Sequence, residues 1–258
     1  MIIPSETLLV KNNPIEFGWE LFCWQGYLRY ISKRYKKIII YGKEGHQLLY
    51  NDFCHEYIPH NLESQNVSGH ECFDKKLEIN VNFNCEIIEP SSDHIFYNLF
   101  ENNNLNFNNQ KFIKFGKFNK DLQYDIILHS RNLPIKVDGI DRNYGTKDNF
   151  KTIVSRLKNK KIATIGGKYS DYIEGTTDLR NVPLKTLADI CASSGVIVGS
   201  LSGPIHFASL CGLKQITWSG IKENKKRIEK DWNPFNVKTT FLHCNVFPEQ
   251  IIDLLKDK

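Results

Sequence analysis

From residue 124 onward the chain keeps one rhythm, in which short runs of β-branched and other apolar residues alternate with stretches of helical spacing. "YDIILHS" (124–130) is followed by "KDNFKTIVSRLKN" (147–159), with apolar residues at Phe150, Ile153, Val154 and Leu157. Then come "KIATIGG" (161–167), "LKTLADICASS" (184–194), "GVIVGS" (195–200), "GPIHFASLCG" (203–212) and "KQITWSG" (214–220). Such alternation predicts βαβ units and a parallel sheet. The strands are almost wholly apolar, as they must be when helices cover both faces of a sheet. The first half follows the same plan less regularly. "ETLLV" (6–10) and "KKIIIYG" (36–42) predict strands on either side of a long amphipathic helix, "GWELFCWQGYLRYISKRY" (18–35). "LEINVNFNCEIIEP" (77–90) alternates like an exposed strand or two, and the asparagine-rich "NLFENNNLNFNNQ" (98–110) reads as a surface loop. The tail "FPEQIIDLLKDK" (247–258) is a helix opened by Pro248. The reading is α/β: an N-terminal domain over 1–120, a C-terminal one over 121–245 and a closing helix over 246–258.

Composition narrows the function classes. With 258 residues, 41% hydrophobic and 24% charged, the chain has the make-up of a soluble protein with a substantial core. A net charge of +5 is too mild for a nucleic-acid binder and suits an anionic small molecule. The lysine clusters at 33–37 and 222–230 read as helix ends or solvated faces. Seven cysteines without a C-x-x-C pair read as reduced core residues of a cytoplasmic protein, neither a disulfide framework nor a zinc site. The opening residues lack a secretion signal, and no stretch reaches the length of apolar sequence that spans a bilayer.

The most informative junction is "VGSLSGPIHFASLCG" (198–212), where a strand passes into a helix through two serines, two glycines and a proline. Pro204 suits the first helical position, with Ser202 or Gly203 as the cap. On this reading the amides of Ile205 and His206 have no partner inside the helix. A phosphate at such an end gains about 0.3–1 kcal/mol from the dipole. Gly199 and Gly203 would let a ligand approach the backbone, and Ser200 and Ser202 add hydroxyls. Three near misses exclude alternatives. "GSLSG" has Leu201 where a nucleophile elbow needs serine. "GGKYS" (166–170) lacks the Walker pattern, and no G-x-G-x-x-G follows a strand. With no D-x-D pair to hold a metal, any bound diphosphate must be neutralised by the helix end and cationic side chains.

"GVIVGSLSGPIHFASLCGLKQITWSG" (195–220) resembles the closing signature of the heptosyltransferase-like glycosyltransferases, glycosyltransferase family 9. There a strand leads to an acidic residue, Ser or Thr, Gly, Pro and, two residues on, His. This chain supplies Ser202, Gly203, Pro204 and His206, and has Leu201 at the acidic position. "GTTDLRNVPLKTLADICASSGVIVG" (175–199) is similar to the family's nucleotide-side loop and helix, and "HSRNLPIKVDGIDRNYGTKDNF" (129–150) to the segment that faces the donor phosphates. "FGWELFCWQGYLRYISKRYKKIIIY" (17–41) is similar to its opening glycine–acid turn and first helix. The resemblance covers residues 123–220 well and the first half loosely.

The resemblance implies a GT-B-like architecture, two Rossmann-like domains whose parallel sheets face each other across a cleft. It implies inverting sugar transfer without metal or other cofactor. The partners implied are a nucleotide-diphosphate sugar and an acceptor hydroxyl on a glycan or lipid-linked glycan; peripheral contact with a membrane is compatible with this, nucleic acid is not. Glu20 is the first candidate for the base that removes the acceptor proton and Glu16 the second. Arg142 and Lys147, with the hinge residues Ser200, Ser202, Gly203 and His206, would take the diphosphate. Gly166, Gly167 and Thr176 would flank the nucleotide, and His129 and Trp19 would face the cleft. Two alternatives share the fold: a non-catalytic nucleotide-sugar-binding protein, and a nucleotide-sugar epimerase or hydrolase.

Overall fold

The computed structural model describes residues 6–62, 76–90, 109–132, 147–243 and 246–256, and the backbone alone at 100–101 and 104–105. The chain forms two compact units, Met1–Phe112 and Ile113–Lys258. Among the described residues no helix is long and apolar enough to cross a membrane.

The first unit contains β1 (Thr7–Lys11), α1 (Phe17–Trp19), α2 (Gln25–Ile31), β2 (Lys37–Lys43), β3 (Glu56–His60), β4 (Glu86–Ile88) and a small antiparallel pair, β5 (Phe100–Glu101) with β6 (Asn104–Leu105). Its main sheet is parallel throughout, in the order β3-β2-β1-β4. The helix predicted over 18–35 is one helical run with a π turn, Glu20–Trp24, between α1 and α2, where the Gln25 amide donates to Glu20 O. Such wide turns recur at functional sites. Leu21, Phe22, Leu28 and Ile31 of this run are buried with Leu8, Val10, Ile38 and Ile40 of the central strands.

One buried cation ties the unit together. The Arg29 guanidinium, 2% exposed, grips Asp52 with two bonds of 2.7 and 3.0 Å. It also donates to Leu49 O at 2.7 Å, to Lys111 O at 3.1 Å and to Gln25 Oε1. α2, the segment after β2 and residue 111 are thereby fixed to one side chain. A planar fork with five donors is the group suited to this task.

The second unit contains β7 (Ile126–His129), α3 (Lys147–Arg156), β8 (Ile162–Gly166), β9 (Thr177–Arg180), α4 (Leu184–Ser193), β10 (Val196–Ser200), α5 (Gly203–Leu210), β11 (Lys214–Ser219), α6 (Asn224–Lys226), β12 (Thr239–His243) and α7 (Pro248–Lys256). Its six strands are parallel in the order β12-β11-β10-β7-β8-β9. Counted from β7, this is the doubly wound order 3-2-1-4-5-6, with its topological switch point between β7 and β10. Ile126, Leu128, Val198, Ile216 and Trp218 form the core with Phe150 and Ile153 of α3 and Ile251 and Ile252 of α7. The unit begins at its first residues because these already pack on its helices. The Phe115 amide donates to Leu210 O at 3.0 Å and its ring stacks on Phe207. Gly116, at φ +81°, lies where a Cβ would be 2.1 Å from Ala188 O.

Four strands of the two main sheets fall outside the clear apolar pattern of the sequence, and the β5–β6 pair lies in the asparagine-rich stretch read as a loop. β3, β9 and β12 carry none of the predicted runs, and of the alternating 77–90 segment only Glu86–Ile88 becomes a strand. All four lie at sheet edges. An edge strand pairs on one side only and stays part-exposed, so it needs no continuous apolar run; β3 even accommodates Pro59. The lysine-rich 222–230 segment forms the short α6 and a π turn, Arg227–Asp231.

Replacing Arg29 with Met leaves Asp52 and two carbonyls without their partner. Asp52 is 35% exposed and can be hydrated, so the cost is that of buried acceptors left unmet, about 1–3 kcal/mol; urea denaturation followed by fluorescence of Trp19 and Trp24 should show the first unit lost at lower denaturant.

Candidate functional site

In the second unit, parallel pairing brings the carboxyl ends of β7 and β10 side by side, His129 opposite Gly199. Ligands of open α/β sheets bind outside this edge, at the switch point. Here the chain concentrates buried polar atoms that meet no hydrogen-bond partner among the described residues: His129 Nε2, Ser130 Oγ, Ser200 Oγ and Ser202 Oγ, with Thr217 Oγ1 on the neighbouring strand. Nearly all buried polar groups in folded proteins are bonded to protein or water, so such a group of orphans marks a place for a bound molecule or ordered water.

α5 opens at the same edge. Ser202 is its N-cap through the backbone, its carbonyl accepting from the His206 amide at 3.0 Å, while its hydroxyl makes no capping bond. The His206 amide is therefore engaged, contrary to the sequence reading. The amides without an acceptor inside the helix are those of Gly203 and Ile205, since Pro204 has none. Gly199 serves the sheet more than a ligand: a Cβ there would lie 2.6 Å from His129 O. Gly166, at φ +136°, makes room for Ser170, whose Oγ would be 2.0 Å from a Cβ, whereas Gly167 faces open space.

Both histidines of this edge are buried and neutral. Desolvation pulls His129 down to about 4, helped by the positive charge of Arg131 and opposed by its bond to Ile165 O. Desolvation, with the charges of Arg227 and Arg131, brings His206 down to about 3. The His206 ring meets Trp232 edge-on at 4.7 Å, and Arg227 lies over the same indole. Arg131 donates to Leu201 O at 3.4 Å. These two arginines, close enough to repel a proton from His206, escaped the sequence reading. Arg131 follows β7 directly and Arg227 sits in a segment read as a solvated lysine cluster, so only the fold brings them to one place.

The remaining second-unit candidates are dispersed. Thr176 bonds Thr164 Oγ1 at 2.7 Å and Ile173 O at 2.7 Å, holding the turn before β9. Lys147 is exposed at the start of α3. Arg142 lies outside the described residues.

The first unit has its own polar centre, again at strand carboxyl ends. Glu20, in the π turn, is 3% exposed. Its Oε1 accepts from Asn12 Nδ2 at 3.0 Å and from the Tyr50 hydroxyl at 2.7 Å, and its Oε2 lies 2.6 Å from His46 Nδ1. Asn12, just past β1, also donates to the Tyr50 oxygen at 2.8 Å, and its carbonyl lies 2.9 Å from His60 Nε2. Burial alone would raise the Glu20 carboxyl. The His46 charge and the bonds from His46, Tyr50 and Asn12 outweigh it and hold the group ionised, below its ordinary value of 4.5. Tyr50 is pushed well above its ordinary value by burial and by the Glu20 charge, so it stays a donor. Glu16 is exposed on the loop before α1, its carbonyl accepting the Glu20 amide at 3.1 Å, and Trp19 is half-buried. His46, Tyr50 and Asn12 carried no motif in the sequence; they meet Glu20 only through the β1–β2 pairing and the segment beyond β2.

The two parallel sheets, the second in doubly wound order with its polar edge at the switch point, make this an α/β fold that matches solved structures of GT-B heptosyltransferases. The solved structures similar to this chain bear that out over nearly its whole length. A family 9 glycosyl transferase from Veillonella parvula DSM 2008 superposes with a TM-score of 0.61 at 13% identity, covering 100% of this chain and 92% of that one. E. coli ADP-heptose lps heptosyltransferase II gives 0.58 at 10%, with 97% of each chain covered. E. coli heptosyltransferase WaaC with ADP gives 0.56 at 10%, covering 97% of this chain and 99% of that one. No protein-family model matches the sequence, and no curated protein does.

The two depressed histidines make an acid-sensitive edge. Below their ordinary value of 6.5 the unfolded chain binds protons that the folded rings at about 4 and 3 refuse. Stability is therefore full above pH 6.5 and falls as pH drops towards 4, by up to about 1.4 kcal/mol per pH unit for each ring. Urea midpoints measured from pH 7 to 4.5 should fall accordingly, and fall less steeply in the His129→Gln variant.

Proposed function

We propose that the chain is a glycosyltransferase that moves a sugar from a nucleotide-diphosphate donor to an acceptor hydroxyl. The observation that carries this reading is the set of buried groups without a partner among the described residues, His129 Nε2 and the hydroxyls of Ser130, Ser200 and Ser202, at the switch point beside the start of α5. On this reading they receive the donor diphosphate together with the amides of Gly203 and Ile205. Arg131 and Arg227 supply the positive charge that stabilises the diphosphate as it leaves, with Lys147 as a further cation from the start of α3. Because His129 and His206 are neutral, they act as hydrogen-bonding groups and leave the charge to the arginines. Such preorganised charge and dipoles are worth most in a site that excludes water.

The first unit serves the acceptor, a glycan or lipid-linked glycan, through the polar centre around Glu20. Attack of the acceptor oxygen on the anomeric carbon, opposite to the departing diphosphate, inverts that carbon in a single displacement. Protein groups alone neutralise the leaving group, in keeping with the absence of a D-x-D pair from the sequence. The neighbour WaaC was solved with ADP, which makes an ADP-sugar the first donor to test here.

Thermal denaturation in the presence of ADP, UDP and GDP is the direct test. A nucleoside diphosphate at one hundred times its dissociation constant should stabilise the chain by about 2.7 kcal/mol. Arg131→Gln should weaken that ligand at least about tenfold, in the range of a lost charge-assisted bond. If none of the three shifts the transition at millimolar concentration, the reading fails.

A further inference from the structure

The geometry around Glu20 points to a different proton acceptor from the one its position in the sequence suggests. We propose that His46 takes the proton of the acceptor hydroxyl and that Glu20 is the positioning residue behind it. This inference rests on the sugar-transfer reading and deepens it.

Glu20 is poorly placed to meet a substrate. It is 3% exposed, and three donors claim its two oxygens: Asn12 and Tyr50 on Oε1, His46 on Oε2. Its carboxyl is held below the ordinary value, which weakens it as a base. His46 has the complementary properties. Its side chain is 17% exposed, and among the described residues its side-chain hydrogen bond runs from Nδ1 to Glu20 at 2.6 Å. An ionised carboxylate can only accept, so Nδ1 carries a proton, and in the neutral ring it is Nε2 that presents the lone pair. His46 follows β2 after a short turn containing Gly45 at φ +83°, and its ring leans on Phe17 with centroids 5.1 Å apart. The ring is thus fixed on one side by an aromatic contact and at one nitrogen by a buried anion. A carboxylate holding one imidazole nitrogen so that the other can accept a proton is the logic of the serine-protease triad.

In the step proposed, the acceptor O–H bond breaks and its proton passes to His46 Nε2. The oxygen forms its bond to the anomeric carbon as the carbon–phosphate oxygen bond breaks, and that electron pair leaves on the nucleoside diphosphate. The imidazolium formed lies against the Glu20 carboxylate, which stabilises it without taking the proton.

Glu20→Gln makes a sharp prediction. Asn12 and Tyr50 both donate, so they select the amide oxygen of the new side chain and leave its NH2 group facing His46 Nδ1. That forces the ring proton onto Nε2, and the base is lost while the shape is kept. A wrong tautomer of this kind costs up to about 10⁴-fold in a triad.

The experiment is NMR of the full chain with ¹⁵N-labelled histidine over a series of pH values, alongside rates of nucleoside diphosphate release from ADP-glucose, UDP-glucose and GDP-glucose, with water standing in for the acceptor hydroxyl. In the wild type the His46 ring should carry its proton on Nδ1, and in Glu20→Gln on Nε2. Release should fall by about 100- to 10,000-fold in His46→Asn, with the thermal shift by the nucleoside diphosphate unchanged. Added imidazole should restore part of the rate in His46→Ala. A wild-type ring protonated on Nε2, a His46→Asn variant with undiminished release, or the absence of imidazole rescue overturns the dyad. If the wild type binds and releases none of these nucleotides, the sugar-transfer reading fails instead, and the tautomer alone decides whether Glu20 orients His46.

Discussion

Parallel strand pairing is the constraint from which the rest of this protein follows. In a parallel sheet every strand ends at the same edge, so every strand-to-helix turn and every helix start gathers there. Main sheets of both units are parallel throughout. In the second unit this places His129, Ser130 and the Ser200–Gly203 turn side by side, although some seventy positions separate them. In the first it brings Asn12, after β1, to His46 and Tyr50, after β2. Polar groups can collect at these edges because the central strands behind them are largely apolar and buried.

The two edges solve opposite electrostatic problems. The second unit holds two neutral imidazoles near two arginines, an arrangement short of negative charge. The first holds a buried carboxylate that is fully compensated by three donors. A buried charge left without partners costs several kcal/mol, so the Glu20 cluster must be assembled whole, and it specifies how the helical run meets the strands. The π turn contributes by setting Glu20 where both of its oxygens are met. Arg29 does the same for the other end of the run, where it joins α2 to residues 49, 52 and 111.

Much of the fold was legible in the residues. Central strands such as Ile126–His129 and Val196–Ser200 announce themselves because burial on both faces demands an unbroken apolar run, and α3, α4 and α5 because one face must remain apolar. The edge strands β3, β4, β9 and β12 were faint for the reason given by their position. At the site, the sequence offered the α5 hinge and Glu20, each visible because local chemistry marks it: a proline and small residues at a helix start, a carboxylate in a first turn. It named the Ile205 amide rightly but misassigned that of His206, since a one-residue shift of the cap decides which amides are bonded. Nor did it offer Arg131, Arg227, His46, Tyr50 or Asn12, whose meaning lies in their distance from residues far along the chain.

The sequence by itself determined the alternation of strand and helix, hence parallel sheets whose turns gather at strand carboxyl ends, because hydrophobic periodicity is a local property that each segment carries alone. Only the tertiary structure decided which polar side chains converge at those edges and in what protonation state. Burial, charge proximity and hydrogen-bond geometry are set by neighbours distant in sequence, so Glu20 is a tied anion and His129 a neutral ring only once the strands have paired.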